Sequence, residues 1–333
     1  MNVGIIGLGH IGKRHMDNVL ENPNLELLCV AEPNLEVEVP QGVGIHYNFV
    51  DMLNHHEDEL NLVIVATPNC LHYRMIKECV ERGIPVLAEK PIVLNKHEAK
   101  LISQLVNKKQ VPVFVNYPLR FLKSVSEVKN RLGEIGKPNM AIFNVFWNRN
   151  EEYYTASDWR GTRSEEGGPL FNEFIHHLNL LKYLFGEIEN VGGNVYDFNH
   201  SYTEVEDSGN FNFTFMSGGM GSLNYSVAAP KKSFDVQLTV MGDVGCFRLK
   251  ELYLNNLKID DEEEQTFEIN LQHFYDVLEA TRLRITEGIE DERLCTVSEA
   301  CADVHDIQTF YSQFKMTDKP KGTEQPLFLK GTF

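Results

Sequence analysis

The chain has 333 residues, of which 42 % are hydrophobic, and a chain of this length usually divides into two domains. Its 31 basic and 48 acidic residues give a formal net charge of −17, which disfavours nucleic acid and anionic membranes as partners. The six cysteines form no Cys-x-x-Cys pair, and no segment reaches the roughly 18 apolar residues of a membrane span. We therefore expect a cytoplasmic protein with free thiols.

Short apolar runs alternate with helical stretches between residue 1 and about residue 118. The runs are continuously rather than alternately apolar, apart from Glu26 in the second, which is typical of parallel strands covered by helices on both faces. They are Val3–Ile6, Leu25–Ala31, Leu62–Ala66, Val86–Ala88 and Val111–Val115. Between the second and third runs, Leu35–Tyr47 contains one proline and two glycines and predicts a shortened, mostly irregular connection. Residues 1–118 are thus predicted to form an α/β domain with a doubly wound parallel sheet.

A glycine-rich turn lies between the first strand and the helix that follows it. Its sequence, Gly7-Leu8-Gly9-His10-Ile11-Gly12, fits the pattern G-x-G-x-x-G. The first glycine makes a tight turn, the second lets a pyrophosphate approach the backbone, and the third permits close packing of helix on strand. The helix N-terminus adds amide donors and partial positive charge for phosphate. We therefore predict a Rossmann dinucleotide site with contacts from Gly7, Gly9, His10, Ile11 and Gly12.

An acidic residue, Glu32, ends the second predicted strand, 20 residues after Gly12. A carboxylate at that place can accept hydrogen bonds from both ribose hydroxyls and repels a 2′-phosphate. We therefore predict NAD as the cofactor in preference to NADP.

The pattern changes after about residue 140, where consecutive strands are separated by short turns. These strands are predicted at Met140–Trp147, Asp207–Phe215, Gly219–Ala228, Asp235–Gly242 and Cys246–Lys250. Two amphipathic helices are predicted at Asn270–Glu287 and Thr296–Phe314, and the acidic run 260–264 predicts a solvated loop. Hairpin-like spacing of successive strands favours a largely antiparallel sheet. Residues 119–333 are thus predicted to form an α+β domain.

Three further segments match one known family in order and spacing. They are Ala66-Thr67-Pro68-Asn69 with His72, Glu89-Lys90-Pro91, and Gly167-Gly168-Pro169-Leu170-Phe171-Asn172 with His176. With the glycine-rich turn, they make the chain resemble the glucose–fructose oxidoreductase / inositol dehydrogenase / MocA (Gfo/Idh/MocA) family over nearly its whole length. The resemblance implies that the second domain carries a large, open-faced sheet that meets substrate and often another subunit. A homodimer or homotetramer is therefore expected.

The resemblance also assigns roles to individual residues. It places Lys90 beside the nicotinamide, where an ammonium can donate a hydrogen bond to the reacting oxygen. It makes His176 the general acid or base. The family's aspartate four residues before this histidine is here Asn172, which can orient a hydroxyl or Lys90 but cannot take a proton. The residues implied to line the cofactor are Thr67, Pro68, Asn69, His72, Glu89, Lys90 and Asn116.

Other side chains are candidates for contact with substrate. Asp158-Trp159-Arg160 precedes the Gly-Gly motif, so that Trp159 could stack on a sugar and Arg160 could pair with a carboxylate or phosphate. Arg120 and Arg163 are further candidates for an anion, and Phe174 predicts a narrow pocket. Neither His55-His56 nor His176-His177 has further ligands at metal-binding spacing, so no metal is expected.

These residues together predict an NAD-dependent dehydrogenase that acts on a secondary alcohol of a sugar or cyclitol, free or nucleotide-linked. Two alternatives stay open. One is an NAD-dependent glycoside hydrolase that oxidises a ring carbon transiently and forms no net NADH. The other is a non-catalytic NAD-binding sensor, which the replacement of the usual aspartate by Asn172 makes conceivable.

Overall fold

The structure is a computed structural model that describes residues 1–230, 235–251, 254–268 and 272–314. Within these ranges the protein forms two β-sheets with helices packed around them. None of the helices in the described ranges is long and apolar enough to cross a bilayer.

The first sheet is built by the N-terminal third of the chain. Its elements are β1 (Asn2–Ile6), α1 (His10–Glu21), β2 (Glu26–Ala31), β3 (Gly44–His46), α2 (Phe49–His56), β4 (Leu62–Val65), α3 (His72–Glu81), β5 (Val86–Ala88), α4 (Lys96–Lys109) and β6 (Val113–Val115). The six strands pair in parallel in the order β6-β5-β4-β1-β2-β3. The strand order reverses between β1 and β4, and ligands of such sheets bind at the carboxyl ends of the strands near that point.

The five apolar runs of the sequence are all strands, shifted by two residues or fewer at either end. They are buried because helices cover both faces of the sheet. The connection at Leu35–Tyr47 lacks a helix, as predicted, but it includes β3, whose Ile45 pairs with Val30 of β2. The connection is thus mostly irregular, as predicted, apart from this short edge strand.

The second part of the chain builds an eight-stranded sheet. Its elements are α5 (Lys123–Arg131), β7 (Pro138–Phe146), α6 (Glu151–Thr155), α7 (Pro169–Asn172), α8 (Ile175–Phe185), β8 (Ile188–Tyr196), β9 (Ser208–Phe215), β10 (Met220–Ser226), β11 (Asp235–Gly242), β12 (Cys246–Lys250), β13 (Asn256–Ile259), β14 (Gln265–Thr266), α9 (His273–Glu287), β15 (Cys295–Thr296) and α10 (Val297–Tyr311). Single 3₁₀ turns lie at Asn69–Leu71, Pro118–Phe121 and Leu132–Ile135. The sheet order is β14-β13-β12-β11-β7-β10-β9-β8, and every pair is antiparallel except β7 with β10.

One face of this sheet is buried and the other is open, as the sequence predicts. Along β7, Phe143 and Val145 are buried in the core, whereas Asn144 between them lies on the partly exposed face. There its side chain accepts a hydrogen bond from Asn224 of β10 at 2.8 Å. The acidic run 260–264 is exposed, as expected of a solvated loop. The predicted start of this domain's first long C-terminal helix, at Asn270, lies outside the described residues, and the described helix α9 begins at His273.

The C-terminal segment returns to the first sheet. β15 pairs antiparallel with β6, through Cys295 opposite Val115. α9 packs against α1, where Asn22 donates a hydrogen bond to Glu279 at 2.7 Å. Two elements from the C-terminal part of the chain, β15 and α9, thus add to the first domain. The domain boundary between residues 118 and 119 stays a prediction.

Candidate active site

The glycine-rich turn has the backbone shape that a dinucleotide site requires. Gly7 has a φ of +91°, which favours glycine, and a Cβ on it would lie 2.6 Å from the carbonyl oxygen of Ala66. A Cβ on Gly12 would lie 1.9 Å from the carbonyl oxygen of Gly7, so this glycine lets α1 pack against the turn. A Cβ on Gly9 would meet no atom within 4 Å. The turn is thus tight at Gly7 and Gly12 and open at Gly9, beside the exposed His10 and partly exposed Ile11.

Glu32 lies at the carboxyl end of β2, beside the glycine-rich turn. Its carboxylate accepts hydrogen bonds from the backbone N–H of Leu8 at 2.8 Å and of Asn34 at 3.2 Å. Each carboxylate oxygen has a second acceptor position, so these bonds orient Glu32 without exhausting it. The geometry therefore fits the acidic residue of a ribose site.

Thr67 and Pro68 lie partly exposed at the carboxyl end of β4, while two polar residues after them, Asn69 and His72, point inward. His72 is fully buried, and its ring nitrogens lie 2.7 Å and 2.9 Å from the carbonyl oxygens of Pro91 and Thr67. Asn69 donates hydrogen bonds to the carbonyl of Glu166 at 2.9 Å and to the Asn172 side chain at 3.4 Å. The Asn69 and His72 side chains thus join loops to one another, and their contact with a cofactor stays a prediction.

A buried hydrogen-bonded cluster of Glu89, His15 and Asn116 connects α1 to the sheet beside the site. Glu89, at the end of β5, accepts hydrogen bonds from His15 of α1 at 2.8 Å and from Asn116 at 2.7 Å. Burial opposes ionisation of Glu89, but His15, the nearby ammonium of Lys90 and the amide of Asn116 lower its pKa to about 2. The Glu89 and Asn116 side chains thus join α1 to the sheet, and their direct contact with a cofactor stays a prediction.

Lys90 follows Glu89 and precedes a cis proline, Pro91. Its ammonium donates a hydrogen bond to the backbone carbonyl of Asn172 at 2.6 Å. The end of β5 is thereby joined to α7, in the second part of the chain. The structure brings together Lys90 and the Gly-Gly motif, which the sequence separates by more than 75 residues.

His176 lies in the first turn of α8, four residues after Asn172. Its ring packs edge-on against Tyr117 with 5.7 Å between centroids, and its Nδ1 is buried without a hydrogen-bond partner. Burial, and then the positive charge of Lys90, hold the pKa of His176 well below its ordinary value. The imidazole is therefore neutral near pH 7 and has one unprotonated ring nitrogen. The neighbouring His177 instead packs in the core against Phe143, at 4.9 Å.

The side chain of Asn172 is surrounded by polar groups. Its amide nitrogen donates hydrogen bonds to Glu166 Oε1 at 3.0 Å and to the Tyr153 hydroxyl at 3.3 Å. The Tyr153 hydroxyl donates in turn to Glu173 at 2.8 Å, and Glu173 forms an ion pair with Arg149 at 2.9 Å. Sequence reasoning missed Glu166, Tyr153, Glu173 and Arg149. The two glutamates flank the Gly-Gly motif in the sequence and could have been found there, whereas Tyr153 and Arg149 come near it only in the folded chain.

The structure places the candidate substrate residues in different surroundings. Arg120 is buried and bonded to Asn179 and Glu299 at 2.7 Å and 2.9 Å, so its predicted role in anion binding is corrected to a structural one. Arg163 donates a hydrogen bond to the carbonyl of Glu204 at 2.8 Å. Phe174 is fully buried against Trp147, so the prediction that it narrows a pocket is also corrected.

Arg160 remains near the site. Its guanidinium lies 4.3 Å from the centroid of the Tyr153 ring and 5.5 Å from that of Trp159, and it donates to the Tyr153 carbonyl at 3.0 Å. Its Nε is buried without a partner. The described residues form no cluster of three or more His, Cys, Asp or Glu that could hold a metal ion.

Comparisons with known proteins agree with this geometry. Residues 1–117 match the family model described as "Oxidoreductase family, NAD-binding Rossmann fold", and residues 130–248 match the "GFO/IDH/MocA C-terminal domain". The chain is similar to scyllo-inositol 2-dehydrogenase (NAD(+)) of Bacillus subtilis, with 28 % identity over 275 residues that cover 80 % of this chain and 78 % of that relative. It is also similar to 2,7-anhydro-N-acetylneuraminate hydratase of Mediterraneibacter gnavus, with 25 % identity, covering 86 % of this chain and 76 % of the relative.

Among solved structures, the WlbA dehydrogenase of Bordetella pertussis, in complex with NADH and UDP-GlcNAcA, has a similar fold. The TM-score is 0.83 at 25 % identity, and the match covers 93 % of this chain and 95 % of the other. Both domain models, the relatives and the shared fold lead to one assignment. The chain belongs to the Gfo/Idh/MocA family of oxidoreductases and is an NAD-binding enzyme.

Proposed function

We propose that this enzyme is a dehydrogenase that acts on a secondary alcohol of a sugar or cyclitol, free or nucleotide-linked. The observation that carries the proposal is the meeting of Lys90 with α7 and α8 at the carboxyl end of β5, where its ammonium donates a hydrogen bond to the carbonyl of Asn172, four residues before His176. A relative named as acting on an inositol, and a similar structure bound to UDP-GlcNAcA, support this substrate class.

The residues of the glycine-rich turn fit the cofactor. Gly9 leaves space for a pyrophosphate, the first turn of α1 offers free amides, and Glu32 is oriented for ribose hydroxyls. Gly7, Gly12, His10 and Ile11 shape this surface through their backbone. When bound, NAD supplies the hydride acceptor, and NADH the donor. Thr67 and Pro68 are proposed to line the cofactor's path between the ribose site and Lys90.

Lys90 and His176 divide the proton chemistry. During oxidation, neutral His176 takes the hydroxyl proton, and the Lys90 ammonium stabilises negative charge on the oxygen. During reduction the same groups act in reverse, with His176 returning the proton. Asn172 cannot take part in proton transfer, so its contribution is to hold Lys90 through its carbonyl. Arg160 and Trp159 are proposed to contact the carboxylate, phosphate or ring of the substrate.

The first experiment incubates the protein with NAD and a panel of inositols, sugars, sugar acids and nucleotide sugars while NADH absorbance is followed. NADH should form with at least one class and should be lost in His176→Gln. His97→Gln, which changes an exposed histidine on α4, serves as the matched control and should keep full turnover. NADH formation that persists in His176→Gln would remove this histidine from the mechanism.

A reaction without net oxidation is a second candidate, because one relative is named as a hydratase. The addition or elimination of water leaves the net redox state of the substrate unchanged. The same holds for the reaction of an NAD-dependent glycoside hydrolase, which is one of the alternatives left open by the sequence. The same panel separates these candidates if products are also followed by mass spectrometry. A product that forms with bound NAD but without free NADH would favour the redox-neutral reaction and overturn the dehydrogenase.

We also infer that the protein self-associates through the open face of the second sheet. Exposed Met220 and Met241 flank Met140 on neighbouring strands, so that an apolar row lies across this face. Exposed apolar rows of this kind favour pairing with a second surface. Light scattering of the purified protein should report a dimer or tetramer, and Met220→Lys should shift it towards monomer. A monomer in the unmodified protein would overturn the inference.

A further inference from the structure

The side-chain amide of Asn172 and the carboxyl of Glu166 form a buried pair next to the Gly-Gly motif. Glu166 is 1 % exposed, and its Oε1 accepts the Asn172 amide at 3.0 Å. Its other oxygen accepts the backbone N–H of Gly161 at 3.0 Å, and its own carbonyl accepts the Asn69 side chain at 2.9 Å. Glu166 therefore touches the loop that carries Arg160, the loop after β4, and the turn that ends at Asn172.

The same turn holds the lysine that the proposed chemistry requires. The Asn172 carbonyl accepts the Lys90 ammonium at 2.6 Å, while the Asn172 side chain is held by Glu166, Tyr153 and Asn69. A change in the Glu166 contact thus reaches Lys90 through a single residue. We propose that Glu166 is a positioning residue of the active site, which holds, through the amide of Asn172, the carbonyl that binds Lys90. This inference rests on the proposed role of Lys90.

The Glu166 carboxyl and the Asn172 side-chain amide are in direct hydrogen-bond contact. The Glu166 carboxyl accepts two N–H groups while ionised, as the geometry has it. When protonated, it must donate to an oxygen, and the Asn172 amide can offer one only by turning its Oδ1 towards Glu166. The turn would point Asn172 Nδ2 at Asn69 Nδ2, which is anchored on the Glu166 carbonyl. Protonation therefore weakens the fastening of the Asn172 turn.

The electrostatics place this change near neutral pH. Burial, and then the carboxylates of Glu173 and Glu206, raise the pKa of Glu166 to about 8, against a hydrogen bond from Gly161 and the charge of Arg160. The phenols of Tyr153 and Tyr154 also face this group, and burial raises the pKa of each above its ordinary range. Glu166 is thus the carboxyl here that ionises as the pH rises through about 8, and ionisation should tighten the hold on Lys90.

The test uses four forms of the full chain besides wild type. In Glu166→Gln the introduced amide NH2 group faces an N–H donor, of Asn172 or of Gly161, so one of the two hydrogen bonds is lost. Asn172→Asp puts two carboxyl groups 3.0 Å apart. The double variant Glu166→Gln/Asn172→Asp restores the bond between the two side chains and the bond from Gly161, since the introduced glutamine amide can accept from Gly161 and donate to the new carboxylate. Glu165→Gln makes the same change at an exposed neighbour and is the matched control.

Two measurements are compared in these forms between about pH 6 and about pH 10. The first is acetylation of Lys90 by acetic anhydride, relative to the exposed Lys100, which needs no substrate. In wild type and Glu165→Gln the labelling ratio should show a step near pH 8, which should be absent in Glu166→Gln. The second is kcat with the best substrate of the panel. It should fall by about tenfold to about hundredfold in Glu166→Gln, with little change in the NAD KM, and return to within a few-fold in the double variant.

The outcomes separate this inference from the proposed function. The positioning role is overturned if the Lys90 labelling ratio in Glu166→Gln equals that of wild type at every pH. It is also overturned if the labelling ratio of the double variant is no closer to wild type than that of either single variant. If labelling responds as expected but no substrate yields NADH, the positioning role stands and the dehydrogenase assignment fails. Thermal unfolding of all forms identifies any variant whose labelling changes merely because the fold is lost.

Discussion

Two glycines of the same turn should respond in opposite ways to an added methyl group. Gly9 has φ −63° and ψ −166°, values that alanine adopts without strain, and its Cβ would point into open space. Gly9→Ala should therefore leave the fold intact, or stabilise it by about 0.4–1 kcal/mol through the unfolded chain. Because the methyl group would stand where the pyrophosphate must approach, we expect the NAD Kd to rise about tenfold to about hundredfold, or about 1.4–2.7 kcal/mol.

Gly12→Ala is the matched opposite. Its Cβ would lie 1.9 Å from the carbonyl oxygen of Gly7, so the helix and the turn must separate by about 1 Å to reach even the closest distance that Cβ atoms tolerate. Overpacking of this kind costs about 1–3 kcal/mol. For a chain of this size, the midpoint of thermal unfolding should fall by about 1–4 °C.

Calorimetric titration with NAD and thermal unfolding, run on both variants and wild type, check the two expectations together. The reasoning is refuted if Gly9→Ala binds NAD as tightly as wild type, because the open space at Gly9 would then not be the pyrophosphate path. It is refuted equally if Gly12→Ala unfolds at the wild-type temperature. Loss of stability in both variants would mean that the turn tolerates no side chain at all, and that the steric distinction between the two positions is wrong.

Three further changes test the site. Lys90→Ala should abolish turnover while the NAD Kd, measured by titration, stays within a few-fold of wild type; Lys100→Ala should keep full turnover, and full turnover in Lys90→Ala would exclude the lysine from the chemistry. Glu32→Ala should relax the preference for NAD over NADP in parallel titrations, and an unchanged ratio of the two Kd values would mean that Glu32 does not face the ribose. The Glu89–His15 pair should stabilise the fold at neutral pH and lose that contribution as the pH falls from about 4.5 to about 2, because the folded-state pKa of Glu89 is lowered. Urea unfolding should therefore show that Glu89→Gln is less stable than wild type near pH 7, with a difference that shrinks in acid; a constant difference would contradict this linkage.

The first domain could be predicted closely because its signals are local. A continuous apolar run such as Leu62–Val65 is a buried strand wherever it lies in a parallel sheet. The glycine-rich turn likewise needs only its own backbone conformation and the adjoining helix. The second sheet was harder: β8 was missed because Gly192 and Gly193 interrupt its pattern, and its register with β9 shifts at that place.

Side chains at the site were predicted less well, because their partners are distant in sequence. Arg120 is of a residue type that often binds anions. In the folded chain it is buried and paired with the carboxylate of Glu299, which is 179 residues away. A basic residue bound to substrate and a basic residue paired inside the protein have the same one-letter signature. His15 was missed for the same reason, since nothing in the sequence of α1 shows that this histidine is a hydrogen-bond partner of Glu89.

The replacement of the family's usual aspartate illustrates the same limit and also suggests how the site tolerates it. Taken alone, Asn172 looks like the loss of an ionisable group beside the proposed base. In the folded chain a carboxyl lies 3.0 Å from its amide, supplied by Glu166 from the other side of the Gly-Gly motif. The ionisable carboxyl that position 172 lacks is therefore present at its neighbour, where burial raises its pKa to about 8 and hydrogen bonds from Asn172 and Gly161 hold the group in place. A sequence motif records which residue occupies a position, whereas the chemistry depends on which groups meet there, and the Glu166–Asn172 pair is where the two differ in this enzyme.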